Sequence, residues 1–111
     1  MAGPLSGIKL VEFAGIGPGP FCGMILADLG AEIIRIDRSS QHGRGNTIDF
    51  QHRSKLSLSA DLKNPQTINE IKKLLKKVDG LIEGFRPGVM ERLGLGPDEC
   101  LKIHPNLVYG R

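Results

Sequence analysis

The stretch from Ile8 to Arg38 constrains this chain more than any other. An apolar and partly β-branched run (Ile8, Leu10, Val11, Phe13) meets a glycine-rich turn, Phe13-Ala14-Gly15-Ile16-Gly17-Pro18-Gly19-Pro20. A helix-like apolar segment follows from Phe21 to Leu29 and closes on Gly30. A second apolar run, Ile33 to Ile36, ends on Asp37 and Arg38. Strand, turn, helix and strand in this order make a βαβ unit, the seed of a parallel sheet with helices on its faces. In such sheets ligands sit at the carboxyl ends of the strands. The turn and the Asp37-Arg38 pair both fall there.

A dinucleotide fingerprint is the first reading to weigh. It requires G-x-G-x-x-G, the last glycine allowing close helix–strand packing. Counted from Gly15 the third glycine falls on Pro20, and counted from Gly17 it falls on Cys22. Neither register fits. Pyrophosphate is held by free N–H groups at a helix N-terminus, and Pro18 and Pro20 each remove one. Proline is normal at the first helical position, so Gly19 is the expected cap and Pro20 the expected N1 residue. Asp37 lies about where a ribose-binding acid would, which leaves a nicotinamide cofactor as the weaker reading.

Downstream, Ser39 to Ser54 reads as a long polar loop, basic through Arg44, His52, Arg53 and Lys55 just beyond it. It is either a solvated connection or a phosphate-facing flap. Leu56 to Ala60 alternates and reads as a half-exposed strand. Asn64-Pro65 opens a helix, with asparagine as cap and proline in the first turn. Ile68, Ile71, Leu74, Leu75 and Val78 recur on one face of it, while Glu70 and four lysines point away. Gly80 to Glu83 is a short strand leading into Gly84-Phe85-Arg86-Pro87-Gly88. Val89 to Leu93 is a helical turn. Gly96-Pro97-Asp98-Glu99 starts a further helix, with Lys102 and His104 in its last turn, His104 as a helix-end cation. Leu107 to Tyr109 begins a strand close to the end of the chain, so the expectation is a truncated domain.

With 111 residues and 40% apolar composition the chain can bury one core. A net charge of +3, spread and mixed with acids, gives no basic stripe of the kind nucleic acid requires. Cys22 and Cys100 have no C-x-x-C partner, so zinc is not expected; both fall in predicted helices and are expected as buried free thiols. Met1 to Gly7 lacks the regions of a signal peptide, and no apolar run is long enough to span a bilayer. A soluble, intracellular chain is expected, without a membrane partner.

Three cations, Arg38, Lys63 and Arg86, follow three different strands of the expected sheet. Arginine suits phosphate through its planar fork, and lysine acts as a point charge. A ligand with several phosphates and an adenine, such as coenzyme A, would use such a set.

The turn at Phe13–Pro20 carries a resemblance, together with Leu26-Ala27-Asp28-Leu29-Gly30-Ala31-Glu32, Arg35-Ile36-Asp37-Arg38, Ala60-Asp61-Leu62-Lys63 and Glu83-Gly84-Phe85-Arg86-Pro87-Gly88-Val89. These motifs resemble, in order, the amino-terminal part of the α-methylacyl-CoA racemases, within the family III CoA-transferase group. The resemblance covers essentially the whole chain. It implies a Rossmann-like open parallel α/β sheet, with residues 1–111 forming an incomplete CoA-binding domain of a longer enzyme. It implies that Arg38 contacts CoA, that Ala60, Asp61, Leu62 and Lys63 line the nucleotide site, that Phe85 and Arg86 lie nearby, and that Ile16 approaches the acyl end. Taken singly, Arg38 could instead be a surface ion pair with Asp37 or Glu32, and Asp61 a turn former.

The implied reaction is epimerisation of 2-methyl-branched acyl-CoA thioesters, an isomerase activity of fatty acid metabolism. It removes and returns the proton beside the thioester and so needs two acid–base groups. By resemblance these are a histidine and an aspartate in sequence that would follow Arg111; His42, His52 and His104 match no motif for the role. The resemblance implies no metal or redox cofactor, coenzyme A being part of the substrate, and an interlocked homodimer. It places the protein in the cytoplasm of a bacterium, or in a peroxisome or mitochondrion of a eukaryote. The alternatives are a family III CoA transferase, a non-catalytic CoA-binding module and an NAD(P)-dependent dehydrogenase fragment.

Overall fold

The computed structural model describes residues 3–38, 51 and 53–111. The expected loop from Ser39 to Ser54 therefore falls largely outside the described residues, with His42, Arg44 and His52. Strand β1 (Lys9–Phe13) leads through the glycine turn into helix α1 (Pro18–Asp28) and strand β2 (Glu32–Arg38). Strand β3 (Lys55–Ala60), helix α2 (Pro65–Leu75) and strand β4 (Gly80–Ile82) follow. Helices α3 (Val89–Arg92) and α4 (Pro97–Ile103) precede strand β5 (Val108–Gly110). The strands form one parallel sheet in the order β3-β2-β1-β4-β5, the open parallel α/β sheet that the sequence leads one to expect. The order reverses at β1, which places a topological switch point between β1 and β4. Gly19 in the first turn of α1 and Gly84 after β4 meet there: a Cβ on Gly19 would lie 3.8 Å from the Gly84 nitrogen.

Side chains alternate across each strand, so the sheet presents two faces. Val11, Phe13, Ile36 and Leu81 enter the larger core, with Ile68, Ile71 and Leu75 of α2, Met90 of α3 and Cys100 of α4. On the other face Ile33 packs with Ala27 of α1, Ala31 and Leu10. Asn64 caps α2 through its side chain, accepting from Gln66 N at 2.9 Å.

Two expectations are corrected, the cap of the first helix and the burial of Cys22. Helix α1 starts two residues early, with Gly17 as cap and Pro18 at the first helical position, rather than Gly19 and Pro20. Gly17 adopts φ 86°, a conformation cheap only for glycine. The prolines then occupy positions whose N–H groups a helix leaves unpaired, and Phe21 N donates back to Gly17 O. Cys22 is exposed, not buried. The face of α1 that meets the sheet is Gly19, Pro20, Gly23 and Ala27, so the helix sits close and turns its larger residues outward. His104, expected at the end of α4, follows it as its cap, and its Nε2 donates to Val78 O at 2.8 Å, tying the helix end to the bend before β4.

Candidate functional site

Alternation along β2 sends its charged residues to opposite faces. Arg35 and Asp37 point toward α1, where Arg35 forms a two-point pair with Asp37 and Ser57 donates to the same carboxylate at 3.3 Å. Asp37 is thus buried and engaged, and is available neither to a ribose nor to Arg38. Arg38 faces the other way. Its guanidinium lies 4.8 Å from the centre of the Phe85 ring, which packs edge-on against Phe13 at 6.2 Å. No carboxylate among the described residues pairs with Arg38, so the surface ion pair with Asp37 or Glu32 does not form.

A cleft of about 340 Å³ opens beside Arg38, lined also by Ala60, Asp61, Leu62, Lys63, Val89 and Leu93. Five of the eight residues picked out from the sequence therefore meet in one place, at the carboxyl ends of β2 and β3. The parallel register sets Arg38 opposite Ala60. Asp61 holds the turn: its Oδ1 accepts from Lys63 N at 3.1 Å, and its carbonyl accepts from Asn64 N. Leu62 is a core residue that anchors the same turn, leaving Lys63 exposed. The lining thus combines two cations, Arg38 and Lys63, and the turn-forming Asp61 with the apolar Ala60, Leu62, Val89 and Leu93. It suits a molecule with both phosphate and non-polar parts.

Phe85 is itself fixed from below. The buried Glu83 carboxylate accepts from Phe85 N at 2.9 Å and from Arg111 Nε at 2.9 Å. Arg111 also reaches Glu91 at 2.7 Å and draws the Glu91 carboxyl below its usual range. The loop bearing Phe85 is thereby held to β4, β5 and α3.

Ile16 and Arg86 do not line the cleft. Ile16 is 92% exposed on the glycine turn, and Arg86 is exposed on the loop after β4. Of the basic residues around the polar loop, Arg53 pairs with Asp28 of α1, lowering the Asp28 carboxyl. Lys55 is buried and turned inward.

Lys55 leads to the residues that sequence reasoning missed. Its Nζ donates to Glu12 Oε1 at 2.7 Å and to Pro20 O at 3.1 Å, with both charged side chains inaccessible. Burial raises the Glu12 carboxyl above its ordinary range, against the pull of Lys55 and Arg35. Glu12 Oε2 has no partner among the described residues. The signal was present: a carboxylate inside an apolar central strand, covered on both faces, requires a buried cation.

Residues 5–111 match CoA-transferase family III. Among curated proteins, the chain is 46% identical over 107 residues to the alpha-methylacyl-CoA racemase of Mus musculus, covering 96% of this chain and 27% of that enzyme. It is 36% identical over 123 residues to a probable fatty acyl-CoA transferase of Mycobacterium tuberculosis, covering 99% of this chain and 31% of that protein. Among solved structures, a CAIB/BAIF family protein from Brucella suis superposes with a TM-score of 0.85 at 31% identity, over 98% of this chain and 33% of that one. The chain spans about a quarter to a third of the length of these relatives. A matched family profile over nearly the whole chain, with the same fold in a related solved structure, carries one conclusion: the chain belongs to CoA-transferase family III.

Proposed function

We propose that this chain is the CoA-binding amino-terminal portion of an α-methylacyl-CoA racemase. The observation that carries the reading is Arg38: stacked on Phe85 and free of any carboxylate among the described residues, it stands beside Lys63 at a cleft on the strand ends. The higher identity to a racemase than to a transferase favours the isomerase branch. In this reading Arg38 and Lys63 bind phosphates, Val89 and Leu93 meet the non-polar part of the nucleotide, and the turn at Ile16 faces the acyl end. The proton is removed from the carbon beside the thioester and returned by an acid–base pair, which the resemblance sets in sequence following Arg111. Donors to the developing oxyanion complete the chemistry. The 111-residue chain then binds acyl-CoA without turning it over. Family III transferases move CoA between carboxylic acids, and they are the runner-up.

Calorimetric titration of the chain with acetyl-CoA tests the reading. Arg38→Ala removes a charge-assisted contact worth about 1.5–3 kcal/mol, a loss of about tenfold to a hundredfold in affinity. Arg38→Lys restores part of it, keeping the charge without the fork. Unchanged affinity in the alanine variant removes Arg38 from the site. NADH binding tighter than acetyl-CoA overturns the CoA assignment.

A further inference from the structure

We infer that the buried Glu12–Lys55 pair is a positioning device that fixes the glycine turn at the carboxyl end of β1. The turn has two posts. At its start, Ala14 N donates to Ile36 O at 2.9 Å, tying it to β2. At its end, the first turn of α1 is held from beneath: Lys55 donates to Pro20 O, and Gly23 lies directly over the Glu12 carboxylate. Between the posts, Gly15, Ile16 and Gly17 are exposed and reach no core residue. A bridge of this kind takes its conformation from its two ends.

The pair is an expensive way to fill this space. A fully buried ion pair adds little stability relative to apolar side chains of similar volume, because desolvation offsets the attraction. This one also leaves Glu12 Oε2 without a partner among the described residues. What the pair supplies, and an apolar pair cannot, is a directed bond from the edge strand β3 to one particular carbonyl of α1. Glu12 holds Lys55 beneath the helix, and Lys55 holds Pro20. Both act through the turn, so they are positioning residues. Their bearing on a ligand rests on the reading of the Ile16 turn as the part nearest the acyl end.

The double variant Glu12→Met/Lys55→Met tests the inference, since either single change strands a buried charge. The readout is amide hydrogen exchange of the chain at Phe21, Cys22 and Gly23, with Ile71 to Leu75 of α2 as the internal reference, alongside a thermal melt. The expected result is an unchanged or higher melting temperature, unchanged exchange in α2, and about tenfold faster exchange in the first turns of α1. Wild-type exchange at Phe21 to Gly23 overturns the inference. So does a loss of protection in α1 and α2 together with a lower melting temperature, which marks a role in general stability. Acetyl-CoA affinity, measured in parallel, reports on the ligand reading separately: wild-type chain that binds no acetyl-CoA fails that reading and leaves the exchange result standing.

Discussion

Gly23 decides how closely α1 approaches the sheet. A Cβ there would lie 1.8 Å from Glu12 Oε1 and 3.2 Å from Lys55 Nζ. Alanine gains up to about 1 kcal/mol in helix propensity, but forcing a methyl into filled space costs about 1–3 kcal/mol. The clash is deep and the carboxylate is held, so overpacking wins. Gly23→Ala is expected to lower the urea midpoint; an unchanged midpoint would show that Glu12 swings aside freely. Counting glycines could not find this residue, because the fingerprint spacing points to positions 20 and 22. The chain places its close-packing glycine one residue later, over a side chain of β1. Arg38, in contrast, was legible: a cation two residues past an apolar run stands at a strand end. What was not legible was its platform, since Phe85 approaches it from beyond β1, across the sheet.

At the scale of elements, helix α2 was readable because its apolar and charged faces differ, and its asparagine cap is local chemistry. Helix α1 was found, but not its orientation. It is apolar all round, so periodicity gives no direction, and the small residues face the sheet while Phe21, Ile25 and Leu29 face outward. Cys22 follows them to the surface. Strand β1 makes a further prediction through Glu12, which faces Lys55 of β3, Arg35 and Asp37 of β2, and the backbone of α1. Burial raises its folded-state pKa above the ordinary 4.5. The folded chain therefore holds this proton more tightly than the unfolded chain. The stability linked to it is complete below about pH 4.5 and is lost as pH rises through the raised value. Asp28 and Glu91, both lowered, act in the opposite sense. Comparing wild type with Glu12→Met/Lys55→Met cancels their part. The wild-type melting temperature is expected to fall relative to that of the double variant as melts move from pH 4 to pH 7; a relative rise would reverse the sign argued for Glu12.

At the scale of the whole molecule, the sheet ends in β3 on one side and β5 on the other among the described residues. Leu56 and Leu58 of β3 are 58% and 50% exposed, on the face shared with the larger core. An edge strand with exposed apolar side chains invites pairing with another chain. Leu56→Lys/Leu58→Lys is expected to reduce concentration-dependent association in sedimentation velocity; an unchanged distribution would place the contact elsewhere. The alternation of β3 was legible as a half-exposed strand, though not that it lies at an edge, because strand order depends on contacts distant in sequence. Strand β2 carries one further consequence. Its odd-numbered positions, Arg35 and Asp37, belong to the polar layer under α1, and its even-numbered ones, Ile36 and Arg38, to the hydrophobic layer and the cleft. Deleting one residue from the middle of this strand inverts every side chain after it. Asp37 would be driven in among Phe13 and Leu75, and Arg38 beneath the helix. Parity, more than composition, keeps the cleft basic and the core dry, so this segment tolerates a changed letter far better than a lost one.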